Sequence, residues 1–149
     1  MVDLEKLEIR PALESDLDDV LGLLIDEDLN TEGVHEAIGN FVVAYDGDEL
    51  IGCGGAEPHQ FVALIRSIVV HEESRGSRVG RRIVRELLDR LSARGLREFY
   101  LVTEHAEGYF RKRGFKPCDR DEVHPQVQES SELAEASDDA HVMRLQMLT

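Results

Sequence analysis

The chain has 149 residues, of which 42% are apolar and 32% charged, and its formal net charge is −14. This length is sufficient for one folded domain, and the apolar content is too high for a disordered chain. The negative charge disfavours nonspecific binding to nucleic acid and to anionic membrane surfaces. Only three of the 17 cationic residues are lysines, which leaves two interpretations open, adaptation to high salt or an ordinary acidic cytosolic protein.

The N-terminal part of the chain predicts a strand, two helices and a hairpin. The strand covers residues 7–12, and a helix follows in which Ser15 provides the cap and the apolar residues recur at helical spacing. Thr31 begins a shorter second helix. The dipeptide Asp46-Gly47 between two β-rich runs predicts an antiparallel hairpin. The two hairpin strands cover residues 41–45 and 50–57.

The middle of the chain predicts a strand, a long helix and a parallel strand. Residues 61–70 are apolar on both faces except for Arg66 and Ser67, which is typical of a central strand. The helix covers residues 77–94 and has its apolar positions on one face. A right-handed crossover would make the next strand, residues 99–103, parallel to the first.

The C-terminal part predicts a short helix over residues 106–113 and a strand that begins at Phe115. Residues 119–139 are polar, so we predict mostly loop, with a helical turn after Pro125. Residues 141–148 alternate well enough for a last strand.

The ends and the cysteines of the chain indicate its compartment. The first ten residues lack the continuous apolar stretch of a secretory signal, and no segment approaches the roughly 20 apolar residues of a membrane span. We therefore expect a soluble, cytoplasmic protein. Cys53 and Cys118 fit no metal-ligand spacing, so we interpret both as small buried residues and expect no metal.

Positive charge is concentrated in one segment of this acidic chain. Residues 66–97 contain nine arginines and four acidic residues, whereas residues 1–65 contain two basic and 16 acidic residues. Two interpretations remain open: the segment binds an anion, or the arginines lie on a solvated helix face beside acidic neighbours.

The turn before the long helix favours the anion. The run Arg75-Gly76-Ser77-Arg78-Val79-Gly80 brings two glycines and two arginines to the helix N-terminus. Unpaired N–H groups and the positive end of the helix dipole lie there, so a diphosphate could be held by main-chain donors. The spacing matches neither a Walker A motif nor G-x-G-x-x-G, which disfavours nucleotide hydrolysis and hydride transfer.

Residues 41–117 resemble the acetyl-CoA-binding core of the GNAT superfamily of N-acetyltransferases. The resemblance lies in the strand of residues 65–70, the turn and helix that follow, and the run Ala106-Glu107-Gly108-Tyr109-Phe110-Arg111-Lys112-Arg113-Gly114-Phe115. In the family's phosphate motif, Q/R-x-x-G-x-G/A, Arg75 and Gly80 take the first and last positions, while Arg78 stands where glycine is usual.

This resemblance implies an α/β (α+β) class and a GNAT fold. We expect a single acetyltransferase domain over residues 1–149, with a mixed central sheet of about six to seven strands flanked by about four helices. Three shorter motifs are similar to the arsenic-resistance branch of the superfamily. They are Gly55-Ala56-Glu57-Pro58, Leu64-Ile65-Arg66-Ser67-Ile68-Val69-Val70 and Ala106-Glu107-Gly108-Tyr109-Phe110.

The resemblance also implies that acetyl-CoA is the cosubstrate. The family uses the backbone of the strand that carries Ile68 and Val70 for the pantetheine arm and for the oxyanion donor. The candidate cofactor-binding residues are therefore Ile68, Val69, Val70, Arg75, Gly76, Ser77, Arg78, Val79, Gly80 and Phe110.

The aromatic residues near the predicted leaving thiolate depart from the family pattern. The family commonly has tyrosine four residues before the glycine of its Gly-Phe pair, and Phe110 occupies that position here. Tyr109 is one residue earlier, which is a rotation of about 100° on a helix. Tyr109 is the candidate catalytic acid, with the alternative of an aromatic residue packed between helix and sheet. If Phe110 lies near the sulfur, the proton comes from water or from the departing amine.

Four further residues are candidates for the acceptor site. Glu57 is the candidate general base, with the alternative of a solvated carboxylate at a strand end, and His105 is a second candidate. Arg66 lies in an apolar strand and must find an anion, which could be a carboxylate of the protein or of the substrate. We take Arg66 and Ser67 as candidate substrate-binding residues.

The leading hypothesis is an N-acetyltransferase for a small amine, such as an amino acid or an amino-acid-like compound, which attacks the thioester directly. A noncatalytic acyl-CoA sensor is the first alternative, because tyrosine is missing at position 110. The second alternative is an acetyltransferase for protein N-termini or lysines, because the acidic N-terminal part could attract a basic peptide. The sequence leaves the oligomeric state open, with a homodimer as one option.

Overall fold

The computed structural model describes residues 5–76 and 78–147. These residues form seven strands: β1 Leu7–Pro11, β2 Phe41–Asp46, β3 Glu49–His59, β4 Val62–Val70, β5 Glu98–Thr103, β6 Lys116–Pro117 and β7 His141–Gln146. The helices are α1 Leu17–Asp26, α2 Val34–Ala37, α3 Val79–Ala93, α4 Glu107–Arg111, α5 Pro125–Gln128 and α6 Ser131–Ala134.

Hydrogen bonds connect the strands in the order β1-β2-β3-β4-β5-β7-β6. β4 and β5 are parallel, with Val62 opposite Glu98, whereas β1, β2 and β3 pair antiparallel, as do β5, β7 and β6. The predicted α/β class, mixed sheet and parallel crossover are confirmed. The two helices beyond the expected four are short and lie in residues 119–139, which the sequence predicted to be mostly loop.

Contacts divide the chain into two compact units, and all three boundaries between segments fall inside regular elements. Unit 1 consists of Met1–Ala56 with Ser67–Leu91, and unit 2 consists of Glu57–Arg66 with Ser92–Thr149. The single-domain interpretation of residues 1–149 stays a prediction.

In unit 1, α3 packs closely on β3 because β3 carries glycines at the contact. A Cβ atom on Gly52 would lie 2.8 Å from the side chain of Ile83, and one on Gly54 would lie 2.9 Å from it. Ile83 is completely buried, together with Val79 one turn earlier. The one-sided apolar pattern that predicted this helix therefore faces the strand, and the helix ends before Gly95, which has φ +93°.

A partly buried ion pair fixes the start of unit 1. Arg10 donates to Asp16 at 2.8 and 3.0 Å, and the hydroxyl of Tyr45 donates to the same carboxylate at 2.9 Å. The Arg10 guanidinium lowers the pKa of Asp16 to about 2. α1 begins at Leu17 rather than at Ser15, and the side chain of Asp16 binds the N–H of Leu13 at 2.7 Å.

In unit 2, the short helices α5 and α6 form because each buries one apolar side chain. Val127 and Leu133 pack in a cluster that includes Val62 and Tyr100. The hydroxyl of Ser130 accepts a hydrogen bond from the N–H of Glu132, which caps α6. The helical turn predicted after Pro125 is confirmed as α5, and α6 was not predicted.

Two further expectations concern the cysteines and membrane spans. Cys53 is completely buried, and burial raises the pKa of its thiol to about 12. The expectation of burial is wrong for Cys118, which is half-buried. No helix within the described residues has both the length and the apolar character to cross a membrane.

Candidate functional site

The C-terminal half of β4 begins with an unusual backbone conformation at Ser67. This residue is buried and has φ +59°, a left-handed conformation that non-glycine residues rarely adopt within a strand. Its carbonyl oxygen accepts a hydrogen bond from the Cys53 thiol at 3.4 Å. Beyond Ser67, Ile68 and Val70 pack in the cluster that contains Ile83, so their side chains belong to the core of unit 1. Only their backbone groups are suited to binding a ligand.

The loop before α3 contains two left-handed residues. Gly76 has φ +87° and Arg78 has φ +69°. Ser77, also predicted to bind the cofactor, lies outside the described residues. A side chain in the left-handed region costs about 1 kcal/mol. Arg78 therefore adopts a conformation that glycine adopts without this cost.

The start of α3 offers main-chain donors. The N–H of Arg82 donates to the carbonyl of Arg78 at 3.1 Å. Val79 and Gly80 precede this bond, so their N–H groups have no carbonyl one turn earlier within the helix. Val79 is 1% exposed and anchors the first turn in the core. The 15-residue helix therefore presents donors and the positive end of its dipole from a fixed position.

Within the described residues, arginines at this end of α3 have no carboxylate partners, in contrast with those further along the helix. Arg85 lies 3.9 Å from Asp89, and Arg90 lies 3.0 Å from Glu86. Three exposed arginines form no ion pair within residues 5–76 and 78–147, and they are Arg78, Arg81 and Arg82. Both interpretations of the arginine-rich segment are therefore partly correct, and the unpaired charge is at the N-terminal end.

Arg75 has partners within the protein. Its Nε donates to the carbonyl of Val70 at 3.1 Å, and its Nη2 donates to Glu27 at 3.0 Å. Glu27 directly follows α1, so the Arg75 side chain links the end of α1 to the end of β4. About half of the Arg75 side chain remains exposed.

In unit 2, the guanidinium of Arg66 lies between two carboxylates. Arg66 Nη1 is 2.6 Å from Glu57 Oε2, and Nη2 is 3.7 Å from Glu132 Oε2. The Arg66 side chain is 0% exposed. The buried cation found its anions in the protein, which was one of the two expected outcomes.

The aromatic residues of α4 form a packed group. Phe110 is buried, and its ring is 5.8 Å from that of Phe115 and 5.2 Å from that of Tyr109. The Arg113 guanidinium lies 4.5 Å from the centre of the Tyr109 ring. The Tyr109 hydroxyl is buried and has no hydrogen-bond partner within the described part of the chain. An unsatisfied buried hydroxyl costs about 1–3 kcal/mol.

His105 lies on the surface. Its side chain is 93% exposed and lies 3.7 Å from Glu104. Its surroundings do not distinguish it from an ordinary surface histidine, so Glu57 is the better-placed candidate base.

The family model for the acetyltransferase (GNAT) family matches residues 1–115. The chain belongs to this family. An uncharacterised N-acetyltransferase of Chlorobaculum tepidum, CT2212, is 33% identical over 93 residues, which span 62% of this chain and 59% of that protein. The match therefore covers less than two thirds of the relative's length.

Solved structures share the GNAT fold. N-acetylglutamate synthase from Neisseria gonorrhoeae, complexed with coenzyme A and N-acetyl-glutamate, has a TM-score of 0.82 at 16% identity, over 96% of this chain and 35% of that chain. Rv2747 from Mycobacterium tuberculosis, in complex with CoA and NLQ, has a TM-score of 0.78 at 22% identity, over 95% of this chain and 99% of that chain. At these identities the likeness concerns the fold.

The GNAT phosphate motif of this chain departs from the usual residue but keeps a glycine-like conformation. Arg78 stands where glycine is usual and has φ +69°. The substitution therefore adds a cation without requiring an ordinary right-handed backbone. The sequence did not single out Glu132 as the second carboxylate beside Arg66. Its segment contains many acidic residues and no regular spacing.

No group of three or more His, Cys, Asp or Glu side chains within the described ranges could hold a metal ion.

Proposed function

We propose that this chain is an acetyl-CoA-dependent N-acetyltransferase whose acceptor is a small amine, an amino acid or an amino-acid-like compound. The observation that carries the proposal is the N-terminal end of α3. Main-chain donors, the helix dipole and the exposed side chains of Arg78, Arg81 and Arg82 coincide there, with no protein carboxylate paired to these cations within the described residues. This combination suits a diphosphate.

Most of the residues proposed to hold coenzyme A come from one stretch of unit 1. Backbone groups of Ile68, Val69 and Val70 suit the pantetheine arm, because the side chains are used by the core. The proposed phosphate site comprises Arg75, Gly76, Ser77, Arg78, Val79 and Gly80. Phe110 is proposed to contribute an apolar wall, in keeping with its burial.

Arg75 supports the phosphate site by position as well as by charge. Its bonds to Glu27 and to the Val70 carbonyl hold the beginning of the loop. The exposed half of its side chain remains available to an anion.

Two side chains of unit 2 are proposed to move protons. When bound, acetyl-CoA supplies an acetyl group on a thioester whose leaving group is a thiolate. Glu57 is the proposed base for the acceptor ammonium, and Arg66 orients it through the 2.6 Å bond to Oε2. Tyr109 is the proposed acid for the thiolate, supported by a hydroxyl that is buried without a partner among the described residues.

Arg66 and Ser67 are proposed to bind the acceptor. The Arg66 guanidinium is buried and paired with Glu57 and Glu132, so the proposal requires that a substrate carboxylate, which an amino acid would provide, share the guanidinium with these partners. The N-acetylglutamate synthase of similar fold is described in complex with N-acetyl-glutamate, which supports the same class. The similarity of Gly55-Ala56-Glu57-Pro58 to the arsenic-resistance branch supports an amino-acid-like arsenical as one acceptor to test. A cytoplasmic location and a homodimer stay predictions.

The experiment compares two glycine variants by titration with coenzyme A. Gly80→Glu places a negative charge in the first turn of α3, and we expect the dissociation constant for coenzyme A to rise about tenfold or more. Gly22→Glu is the matched control, because Gly22 lies exposed in α1 with open space around its Cβ position. Both changes replace a helical glycine and add the same charge. Equal affinities of the two variants for coenzyme A would contradict the proposed phosphate site.

Thiol release from acetyl-CoA tests the reaction itself. The panel contains amines, amino acids and arsenical amino-acid analogues, each measured at low and at molar salt. Release with an amino acid supports the proposal. Binding of coenzyme A without release for any amine would favour the noncatalytic sensor, and release with basic peptides alone would favour a protein acetyltransferase.

A further inference from the structure

Arg113 differs from the basic residues beside it in the turn after α4. Arg111 is exposed and lies 3.2 Å from Glu107, and Lys112 is exposed. The Arg113 side chain is half-buried, its Nε atom is buried, and within the described residues it has no carboxylate partner and no hydrogen bond. Although the chain has 31 acidic residues, no described carboxylate neutralises this partly buried cation.

The Arg113 guanidinium lies over the ring of Tyr109. Its central carbon is 4.5 Å from the ring centre, which is within the range of a cation–π interaction. The Tyr109 hydroxyl is also buried, and like Arg113 Nε it has no hydrogen-bond partner in residues 5–76 and 78–147. The two unpartnered polar groups therefore belong to side chains in contact with each other.

The backbone fixes Arg113 in this place. The carbonyl of Phe110 accepts hydrogen bonds from the N–H of Arg113 at 2.9 Å and from the N–H of Phe115 at 3.1 Å. Gly114 has φ +98°, the left-handed conformation that ends the helical turn. Arg113 therefore follows Tyr109 by four residues in a helical turn, a spacing that brings two side chains to the same face.

The orientation of the Tyr109 ring depends on contacts to the ring itself. Tyr100 is held at its tip, because its hydroxyl donates to Glu98 at 2.9 Å. The Tyr109 hydroxyl has no such bond among the described residues. Its ring contacts the perpendicular ring of Phe110, with 5.2 Å between the centres, and the guanidinium of Arg113. Loss of the guanidinium would remove one of these two contacts.

The charge of Arg113 matters most when Tyr109 gives up its proton. In the proposed reaction, the O–H bond of Tyr109 breaks, the proton goes to the departing sulfur, and the electron pair stays on the tyrosine oxygen. A proton from water then restores the hydroxyl. Negative charge on this oxygen is shared with the ring, so the attraction to a cation over the ring grows as the proton leaves. An interaction that grows in the transition state raises kcat.

We propose that Arg113 is a positioning residue for Tyr109. It holds the ring and stabilises the negative charge that develops on the tyrosine oxygen. This inference rests on the proposed acetyltransferase function, to which it adds a residue on the side of the leaving group.

A double-mutant cycle tests whether Arg113 acts through Tyr109. Thiol release gives kcat and KM for the unchanged chain, Arg113→Met, Tyr109→Phe and the double variant. We expect Arg113→Met to lower kcat about tenfold and to change the KM for acetyl-CoA by less than about twofold. In the Tyr109→Phe background, Arg113→Met should lower kcat no further.

Two further variants separate charge from position in the chain. Arg113→Lys keeps the cation without the planar guanidinium, and it should recover about a third of the kcat of the unchanged chain. Arg111→Met is the matched control, because it removes an exposed arginine two residues away, and it should leave kcat unchanged.

Nuclear magnetic resonance of labelled tyrosine rings tests the contact without acetyl-CoA. The chain contains three tyrosines and no tryptophan, so replacement of each tyrosine by phenylalanine assigns the ring signals. Arg113→Met should shift the Tyr109 signal and leave those of Tyr45 and Tyr100 in place, whereas Arg111→Met should shift none. Urea denaturation checks that each variant folds, and Arg113→Gln is the second uncharged variant if Arg113→Met does not fold.

Four results would each overturn the inference. They are an unchanged kcat in Arg113→Met, equal kcat values for Arg113→Lys and Arg113→Met, additive losses in the double variant, and an unmoved Tyr109 ring signal. Any of these results, obtained while the unchanged chain releases thiol, leaves the acetyltransferase proposal intact. Absence of thiol release with every amine refutes that proposal, and the inference with it.

Discussion

Arginines in two regions of this protein are held in opposite ways. At the start of α3 in unit 1, Arg78, Arg81 and Arg82 are exposed and have no carboxylate partner among the described residues. In unit 2, the Arg66 side chain is wholly buried between Glu57 and Glu132. A buried cation requires anions of the protein for stability, whereas an exposed unpaired cation is available to a ligand. Burial and partners, rather than residue type, therefore separate these two roles.

Removal of the buried arginine should produce the largest effect. Arg66→Met leaves Glu57 and Glu132 facing each other without a cation, and we expect the free energy of unfolding to fall by about 3–5 kcal/mol. Urea denaturation measures it. Arg85→Met, on the exposed face of α3, is the control and should change stability by about 0.5 kcal/mol or less. A similar loss for both variants would break the distinction between the regions.

Tyr109 extends the comparison to a buried group that has no partner. Tyr109→Phe should lower kcat about 100-fold if the hydroxyl supplies a proton. The free energy of unfolding should stay the same or rise by about 1 kcal/mol, because an unsatisfied buried hydroxyl is removed.

A second tyrosine of unit 2 provides the control for Tyr109. The hydroxyl of Tyr100 donates to Glu98 at 2.9 Å, so Tyr100→Phe should cost about 1 kcal/mol of stability and leave kcat unchanged. Unchanged kcat in Tyr109→Phe would exclude it as the acid and leave water or the departing amine as the source of the proton.

The partly buried Arg10–Asp16 pair of unit 1 extends the comparison to the pH dependence of stability. Arg10 lowers the pKa of Asp16 from 3.8 to about 2, so the ionised carboxylate stabilises the folded chain above about pH 4. This contribution, about 2 kcal/mol, should disappear as the pH falls from about 4 to about 2.

Unfolding of Asp16→Asn measures this contribution. The stability difference from the unchanged chain should be largest at neutral pH and should shrink through that acidic range. Asp18→Asn, an exposed change in the same segment, is the control for loss of a carboxylate. A difference for Asp16→Asn that does not vary with pH would contradict the assignment.

The smallest expected effect concerns the exposed arginines at the start of α3. One substitution there should raise stability while it weakens the binding of coenzyme A. Arg78→Gly removes a left-handed side chain, so stability should rise by about 1 kcal/mol, while the dissociation constant for coenzyme A rises about threefold. Arg81→Gly removes the same charge from within α3. It should weaken the binding of coenzyme A to a similar extent but lower stability by about 1 kcal/mol. Stability changes of the same sign would show that the Arg78 backbone is unstrained.

Strong periodicity made most of the fold predictable. The apolar, β-rich runs of β2 to β5 and the one-faced pattern of α3 are long enough to be recognised, and each element was confirmed. α6 could not be predicted, because a helix of four residues with one buried side chain, Leu133, shows no period. Local signals such as the Asp46-Gly47 turn marked connections between elements rather than the elements themselves.

For the candidate site, the sequence predicted which residues need a partner but not which residues provide it. The position of Arg66 in an apolar strand implied a buried cation that requires an anion, but many acidic residues could have supplied it. Only three-dimensional packing identifies Glu57 and Glu132. Similarly, the sequence showed that Arg78 replaces a usual glycine, but it did not specify the backbone conformation of that residue.

The close packing of α3 on Gly52 and Gly54 implies preorganisation of the proposed anion site. Ile83 fills the space that a side chain on either glycine would need, so the helix cannot slide along β3 without opening a void. The donors at its first turn are consequently in place before a ligand arrives, and association need not spend binding energy on ordering them. Replacing either glycine with a larger residue would shift these donors. It should therefore weaken the binding of an anion that does not contact the substituted residue.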